Sequence, residues 1–470
     1  VPLLLSPKKY KEIKMIHKYF QNGYYIVLDV NSGAVHVVDE LFYNMLDHVS
    51  EDLAEECPEE IIRAFSDRWS EEEIRSTYAE MVSLKKEGQL FSADDYAQFA
   101  DMMVSSPIKA LCLNIAHDCN LRCEYCFAGK GDYCQGRMLM TEEVGKAAID
   151  YLLHYSQGRH NLEVDFFGGE PTINFDVVKK VVEYARSKEK EYDKKFRFTI
   201  TTNGLLLNDD MIDFINKEMY NVVCSTDGRK EVNDRVRARV DGSGCYDAII
   251  PHFQELVRKR ENSEYPENWQ YYVRGTFTKY NTDFGEDVLH MNSLGFDQIS
   301  IEPVVADPKQ PYALTYEDLP EVFEEYDRLS KIMIEKQKSG KGFNFYHFMI
   351  DLDQGPCAIK RLRGCGCGNE YVAITPDGDV YPCHQFVGHE EWKMGNVFDL
   401  SINKEMKDNF ARATVYHKPK CQDCWAKFYC SGGCNANNWQ YMGNVLDSFD
   451  LACEMEKKRL ECAIMIQAAL

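Results

Sequence analysis

Cys119, Cys123 and Cys126 stand as C-x3-C-x2-C in the run His117-Asp-Cys-Asn-Leu-Arg-Cys-Glu-Tyr-Cys-Phe127. The run follows directly on Ile108-Lys-Ala-Leu-Cys-Leu-Asn-Ile115, an apolar stretch that reads as a buried strand. Three thiolates on one short loop can hold three corners of a cubane iron–sulfur cluster and leave the fourth iron free for another ligand. A zinc loop or ordinary reduced thiols is the bland alternative. A second constellation lies downstream, where ten of the 18 cysteines fall between 357 and 462. Its centre is Cys421-x2-Cys424-x5-Cys430-x3-Cys434, with Cys453 after a gap. Upstream, Cys365, Cys367 and Cys383 surround the hairpin signal Pro376-Asp-Gly378.

Other elements must position these thiols. Strand patterns near 109–115, 162–167, 196–201, 221–225, 270–278 and 297–303 alternate with helical patterns near 141–154, 176–190, 208–217, 246–260, 283–293 and 316–337. Six β-α repeats with right-handed crossovers predict a parallel sheet rolled into a partial barrel, with chemistry at the strands' C-terminal ends. Those ends carry suitable groups. In Gly168-Gly169-Glu170-Pro171 the glycines admit a close backbone and Glu170 can accept from an ammonium. Thr201-Thr-Asn203-Gly and Ser225-Thr-Asp227-Gly offer hydroxyl and amide groups to ribose or carboxylate oxygens. One such tetrapeptide is an ordinary turn. Three at successive strand ends, downstream of the cysteine loop, are not explained as turns.

Residues 1–92 read as a separate small domain: three short strands near 15–20, 24–29 and 34–38, then helices near 40–48, 58–65 and 70–87. Asp39 is placed to cap the first helix, and Ser70 with Glu73 makes a capping box before the third. This is a winged-helix-like layout without basic residues on its third helix. A sheet edge beside a helix can instead take a peptide as an added strand. Residues 93–107 read as a linker, 108–338 as the barrel and 339–470 as a cysteine-rich domain.

The net charge of −22 argues against nucleic acid or an anionic membrane surface as partner. No apolar run approaches a membrane span, and the N-terminal residues lack the pattern of a signal peptide. So many cysteines without a secretion signal point to metal ligation in a reducing cytoplasm. The remaining thiols, Cys57, Cys112, Cys134, Cys224, Cys245, Cys357 and Cys462, are expected to be buried and inert.

The cysteine loop and the three strand-end motifs resemble the radical S-adenosylmethionine (SAM) enzymes, across most of residues 108–303. The resemblance implies that Cys119, Cys123 and Cys126 ligate a [4Fe-4S] cluster whose open iron chelates SAM, with Tyr125 beside it. It further implies that Gly168, Gly169 and Glu170 bind the SAM amino group, and that Asn203, Ser225 and Asp227 line the nucleoside. Asn233-Asp-Arg-Val-Arg237 resembles a His-Asp-x-x-Arg run in relatives, with Asn in place of His. Arg237 is thus a candidate partner of the SAM carboxylate, and Arg274 on the fifth strand is a second.

The downstream cysteines resemble the SPASM extension of peptide-modifying radical SAM enzymes. That implies two auxiliary [4Fe-4S] clusters, three in all. One takes Cys421, Cys424, Cys430 and Cys453; the other takes Cys383, Cys434 and a ligand at Cys365 or Cys367. Cys365 either completes the second set or leaves it with an open iron. Two zinc sites are the rival reading.

Ile26–Glu40, the cysteine loop and Gly364-Cys-Gly-Cys-Gly-Asn together resemble the thioether-forming maturases of "six cysteines in forty-five residues" (SCIFF) peptides. This implies a Cys-rich ribosomally made precursor whose leader is gripped by the N-terminal domain, and an external one-electron donor of flavodoxin or ferredoxin type. The cluster would cleave SAM to a 5′-deoxyadenosyl radical that abstracts hydrogen from the peptide, and an auxiliary cluster would take the second electron as an intramolecular carbon–sulfur bond forms. An anaerobic sulfatase-maturating enzyme, which forms formylglycine, shares the barrel and both auxiliary clusters. It needs a general base, for which Asp287 and Asp297 are candidates. A metal-stabilised peptide-binding scaffold is the non-enzymatic alternative.

Overall fold

The computed structural model describes residues 15–102, 105–352 and 358–470. Strands β1 (Ile16–Gln21), β2 (Tyr24–Asp29) and β3 (Val35–Val38) form an antiparallel sheet in sequence order, with helices α1 (Glu40–Met45), α2 (Glu59–Phe65) and α3 (Glu71–Lys86) behind it. Asp39 caps α1 by accepting from the Phe42 amide, and Ser70 and Glu73 cap each other reciprocally at the start of α3. The turn between β1 and β2 is Asn22-Gly23, both at positive φ, which suits the twist of a two-residue hairpin.

This sheet is buried on both faces. Val27 packs with the helices, in a core with Leu41, Phe42 and Met81. Tyr19, Ile26 and Leu28 belong to the main core of the molecule. Among the described residues β3 has no neighbour on its outer side, and its Val37 is 53% exposed.

The larger sheet contains β4 (Ala110–His117), a short β5 (Met138–Leu139), β6 (Asn161–Gly168), β7 (Lys195–Thr202), β8 (Met219–Ser225), β9 (Gln270–Phe277), β10 (Gln298–Pro303) and β11 (Asn344–Phe345). The order β4-β6-β7-β8-β9-β10 is parallel throughout, as the six expected repeats require. The crossovers carry α4 (Glu142–Ser156), α5 (Phe175–Tyr192), α6 (Asp209–Glu218), α7 (Lys230–Val236), α8 (Tyr246–Glu261), α9 (Phe284–Ser293) and α10 (Leu319–Lys338). Alternation along each strand sorts the side chains. Leu162, Val164 and Phe166 of β6, with Phe196, Phe198 and Ile200 of β7, are buried in the main core. Asp165, Thr199 and Arg274 alternate with them and face the other side. The inner face is therefore polar.

After residue 357 come α11 (Ala358–Arg363), β12 (Tyr371–Ile374), β13 (Asp379–Tyr381), β14 (Gly395–Asn396), α12 (Lys404–Arg412), α13 (Pro419–Gln422), α14 (Lys427–Cys430), α15 (Asn435–Met442) and α16 (Asp450–Ala469). Gly378, at φ +91°, makes the expected turn between β12 and β13.

Two features depart from the sequence reading. β12 pairs in parallel with β4, and β11 with β10, so segments assigned to the cysteine-rich domain extend the barrel sheet at both ends. The stretch read as a linker is docked: Lys427 pairs with Asp94 at 3.0 Å with both side chains nearly buried, and Tyr96 packs on Phe428. Among the described residues no helix is long and apolar enough to cross a membrane.

Candidate functional site

The cysteine loop leaves the end of β4 and is tied at both flanks. Arg122 and Glu124 donate their amides to the carbonyls of Ala238 and Val236. The Gly169 and Glu170 amides donate to the carbonyls of Ala116 and Asp118 at 2.7 and 2.9 Å. The glycines are needed here. A Cβ at Gly169 would lie 2.2 Å from the Asp118 oxygen, and one at Gly131 would lie 2.6 Å from Cys119 Cβ. Gly169→Ala should therefore displace the loop, and iron bound per chain should fall by about four, one cubane, while the protein stays folded by circular dichroism.

Cys119, Cys123 and Cys126 line one cavity together with Tyr125, Gly168, Gly169, Glu170, Asn203, Ser225 and Arg237. Burial pushes the Cys119 thiol up to about 11, aided by the Glu170 charge, and Cys123 up to about 12. Thiolates in this pocket need a compensating cation, which cluster iron supplies.

Glu170 is fully buried. Its Oε1 accepts from the Thr172 amide and hydroxyl and from the Thr202 hydroxyl, and its Oε2 accepts from the Asn203 amide at 2.8 Å. Burial raises the carboxyl above its usual range against those donors. Oε2, with one protein donor, keeps acceptor capacity for a further group. Asn203 donates to Asn120 Oδ1 at 2.8 Å and reaches Cys119 Sγ at 3.7 Å.

Asp227 is outside the lining of this cavity, behind Tyr125. Its carboxylate is occupied by the Tyr125 hydroxyl at 2.7 and 2.9 Å and by the Thr276 amide. It positions Tyr125, which also accepts from Arg237 Nη1 at 3.0 Å. Arg237 Nε is buried without a partner, an orphaned donor that an anionic ligand in the cavity would satisfy. The orphaned donor and the three thiols fit SAM on a cluster. Asn233, standing where relatives have His, accepts from the Thr226 hydroxyl and the Asp227 amide and so holds the strand end from behind. Arg274, the second carboxylate candidate, lies outside this cavity, half exposed and paired with Glu302 at 3.4 Å.

The inner face of the barrel adds groups that the sequence reading missed. Asp165 is pushed up to about 7 by burial and by Glu163, opposed by a Thr199 hydrogen bond. Its charge reaches Cys112 and Tyr371. His384 stacks on Phe167 at 4.8 Å and is lowered to about 4 by burial and by Arg274, so it is neutral at pH 7. Strand alternation alone could have flagged Asp165 and Glu302 as polar positions on otherwise apolar strands.

Neither Asp287 nor Asp297 lines the cavity of the cysteine loop. Asp287 is buried and accepts from the Arg229 amide and guanidinium and from Asn281. Asp297 is exposed just before β10, at the opposite end from the cysteine loop.

The downstream cysteines gather into two groups. Cys365 and Cys367 share a thiol hydrogen bond, as do Cys367 and Cys383, and Cys434 acts electrostatically on both Cys365 and Cys367. Cys453 is raised to about 11 by burial and then by Cys421 and Cys424, and Cys430 is raised by burial and by Cys453 and Cys421 among its neighbours. Among the described residues no three such side chains are set for a single metal ion. A cubane instead holds its thiolates at four separated corners. Of the thiols expected to be inert, Cys112, Cys224, Cys245 and Cys462 are buried and Cys57 partly so. Cys134 is exposed, in a left-handed turn at φ +57°. Cys357 lies outside the described residues.

The radical SAM superfamily model matches residues 113–259, and the model of SPASM, an iron–sulfur cluster-binding domain, matches residues 365–425. A cysteine-type anaerobic sulfatase-maturating enzyme of Clostridium novyi (strain NT) is 26% identical over 363 residues, 73% of this chain and 92% of that protein. Native anSMEcpe with bound AdoMet and Cp18Cys peptide superposes with a TM-score of 0.63 at 21% identity, covering 77% of this chain and 99% of that one. Streptococcus suis SuiB bound to precursor peptide SuiA gives 0.52 at 16%, covering 94% and 100%. The chain thus carries an α/β radical SAM fold with a C-terminal SPASM domain. Its site is that of an enzyme using SAM and iron–sulfur chemistry.

Proposed function

We propose that the protein is a radical SAM peptide maturase that forms intramolecular Cys thioether cross-links in a Cys-rich, ribosomally made precursor. The carrying observation is the N-terminal sheet, whose β3 presents an edge that no strand pairs among the described residues. The likeness to SuiB, whose structure holds a precursor peptide, covers 94% of this chain. The likeness to anSMEcpe covers 77%.

When bound, SAM on the cluster of Cys119, Cys123 and Cys126 supplies a hydrogen-abstracting radical. The chain's own residues do the rest. Gly168 and Gly169 bring backbone to the ligand, and Glu170 Oε2 and Arg237 Nε stand ready for an ammonium and a carboxylate. Asp227 holds Tyr125 in place. The polar inner face, with Asp165, Arg274 and Glu302, orients a peptide's polar groups. The groups Cys421/Cys424/Cys430/Cys453 and Cys365/Cys367/Cys383/Cys434 would hold two further clusters, giving the electron left after hydrogen loss a route to an external one-electron acceptor. Cys365 lies beside Cys367; as a fourth ligand it would fill the second cluster, and a substrate thiolate would then have to displace one.

A second reading, formylglycine formation, is favoured by the sequence identity to the Clostridium novyi enzyme. The two separate on product chemistry. A Cys-rich precursor peptide incubated with the protein, SAM and reductant should lose two hydrogens per cross-link and lose thiols that alkylating reagents can reach. A product that instead loses sulfur and reacts with a hydrazide would establish the aldehyde-forming reading.

A further inference from the structure

Lys418, just before α13, is a lysine with almost no solvent contact, 1% exposed. Its Nζ donates to the Gly432 carbonyl and to Asn435 Oδ1, both at 2.7 Å. Among the described residues no carboxylate pairs with it. An ammonium taken out of water without a counter-charge is strongly disfavoured, so a buried one marks a place where something anionic belongs. The surroundings say what. Gly432 and Gly433 join Cys430 of one thiol group to Cys434 of the other, and the Lys418 carbonyl accepts from the Cys421 amide. Asn435, held by the same Nζ, turns its own Nδ2 toward Cys367 Sγ at 3.7 Å. Gly432 makes room: at φ +87°, a Cβ there would lie 3.1 Å from Nζ. Nζ has a third proton that neither acceptor uses.

We propose that Lys418 is the shared counter-charge of the two auxiliary clusters, a positioning residue that raises both reduction potentials together and keeps them matched for electron transfer. This rests on the reading of the two thiol groups as cluster ligands. A fixed cation between two clusters favours the reduced, more negative state of each. Its removal should move both the same way.

The test uses the full chain carrying Cys119→Ala, Cys123→Ala and Cys126→Ala, so that only auxiliary clusters remain. About eight irons per chain in this parent establish the clusters; fewer would sink the cluster reading, and this inference with it. Lys418→Met is then compared with the parent by redox titration followed by electron paramagnetic resonance. Both clusters should become at least tenfold harder to reduce, about 59 mV for a one-electron couple. Lys418→Arg, which keeps the charge, should stay near the parent. Unchanged potentials at full iron content, or a shift in one cluster alone, would overturn the proposal. If Lys418→Met fails to load iron, Lys418→Arg decides: retained loading supports the charge, and equal loss contradicts it.

Discussion

Replacing Cys119, Cys123 and Cys126 together by alanine should abolish 5′-deoxyadenosine formation while leaving about eight of about twelve irons bound. The three thiols line the cavity that Glu170, Asn203 and Arg237 also reach, and the two downstream groups share no residue with it. Loss of the loop's iron should not propagate, because the loop is anchored through its backbone to Ala238, Val236 and the strand end at Gly168. Iron and deoxyadenosine, measured on the same samples, separate the roles. Continued SAM cleavage by the triple variant would remove this loop from the chemistry.

Val37→Asp should weaken precursor binding at least tenfold, about 1.4 kcal/mol, with peptide-independent SAM cleavage unchanged. Val37 is exposed on β3, whose outer edge is unpaired among the described residues, so a charge there meets an incoming strand without entering the core. An added strand binds through main-chain hydrogen bonds and alternate side chains, and a carboxylate on that edge must be desolvated as the strand docks. Deleting residues 1–92 is a poorer test. Tyr19, Ile26 and Leu28 belong to the main core, His17 stacks on Trp425 at 3.8 Å, and Asp29 accepts from Ser92. Truncation would strip the body of the molecule as well as the recognition sheet. Fluorescence anisotropy with a labelled leader peptide measures the effect; unchanged affinity in Val37→Asp would move the peptide away from β3.

Local signals carried most of the fold. The six parallel strands alternate in a way that separates core from inner face, and the caps at Asp39 and Ser70/Glu73 fall where side-chain chemistry places them. The glycine motif was legible because only glycine tolerates the approach seen at Gly169. What was not legible is long-range. Nothing local tells β12 to pair with β4, 261 residues apart at Tyr371 and Ala110, or tells Asp94 to meet Lys427. The contact between Asp227 and Tyr125 is long-range in the same way. The strand-end position of Asp227 suggested a ligand contact, and Tyr125, reached through folding alone, takes its carboxylate. Lys418 carries no motif, and its burial between two thiol groups is visible only in three dimensions.

The central claim is that one chain holds three iron–sulfur clusters, one for radical generation and two for electron handling. Iron, acid-labile sulfide and zinc per chain after anaerobic reconstitution test it most directly. Three cubanes require about twelve irons with matching sulfide and negligible zinc. About four irons with zinc in the downstream thiols would reduce the SPASM region to a structural domain. Zinc without iron would contradict the radical chemistry altogether.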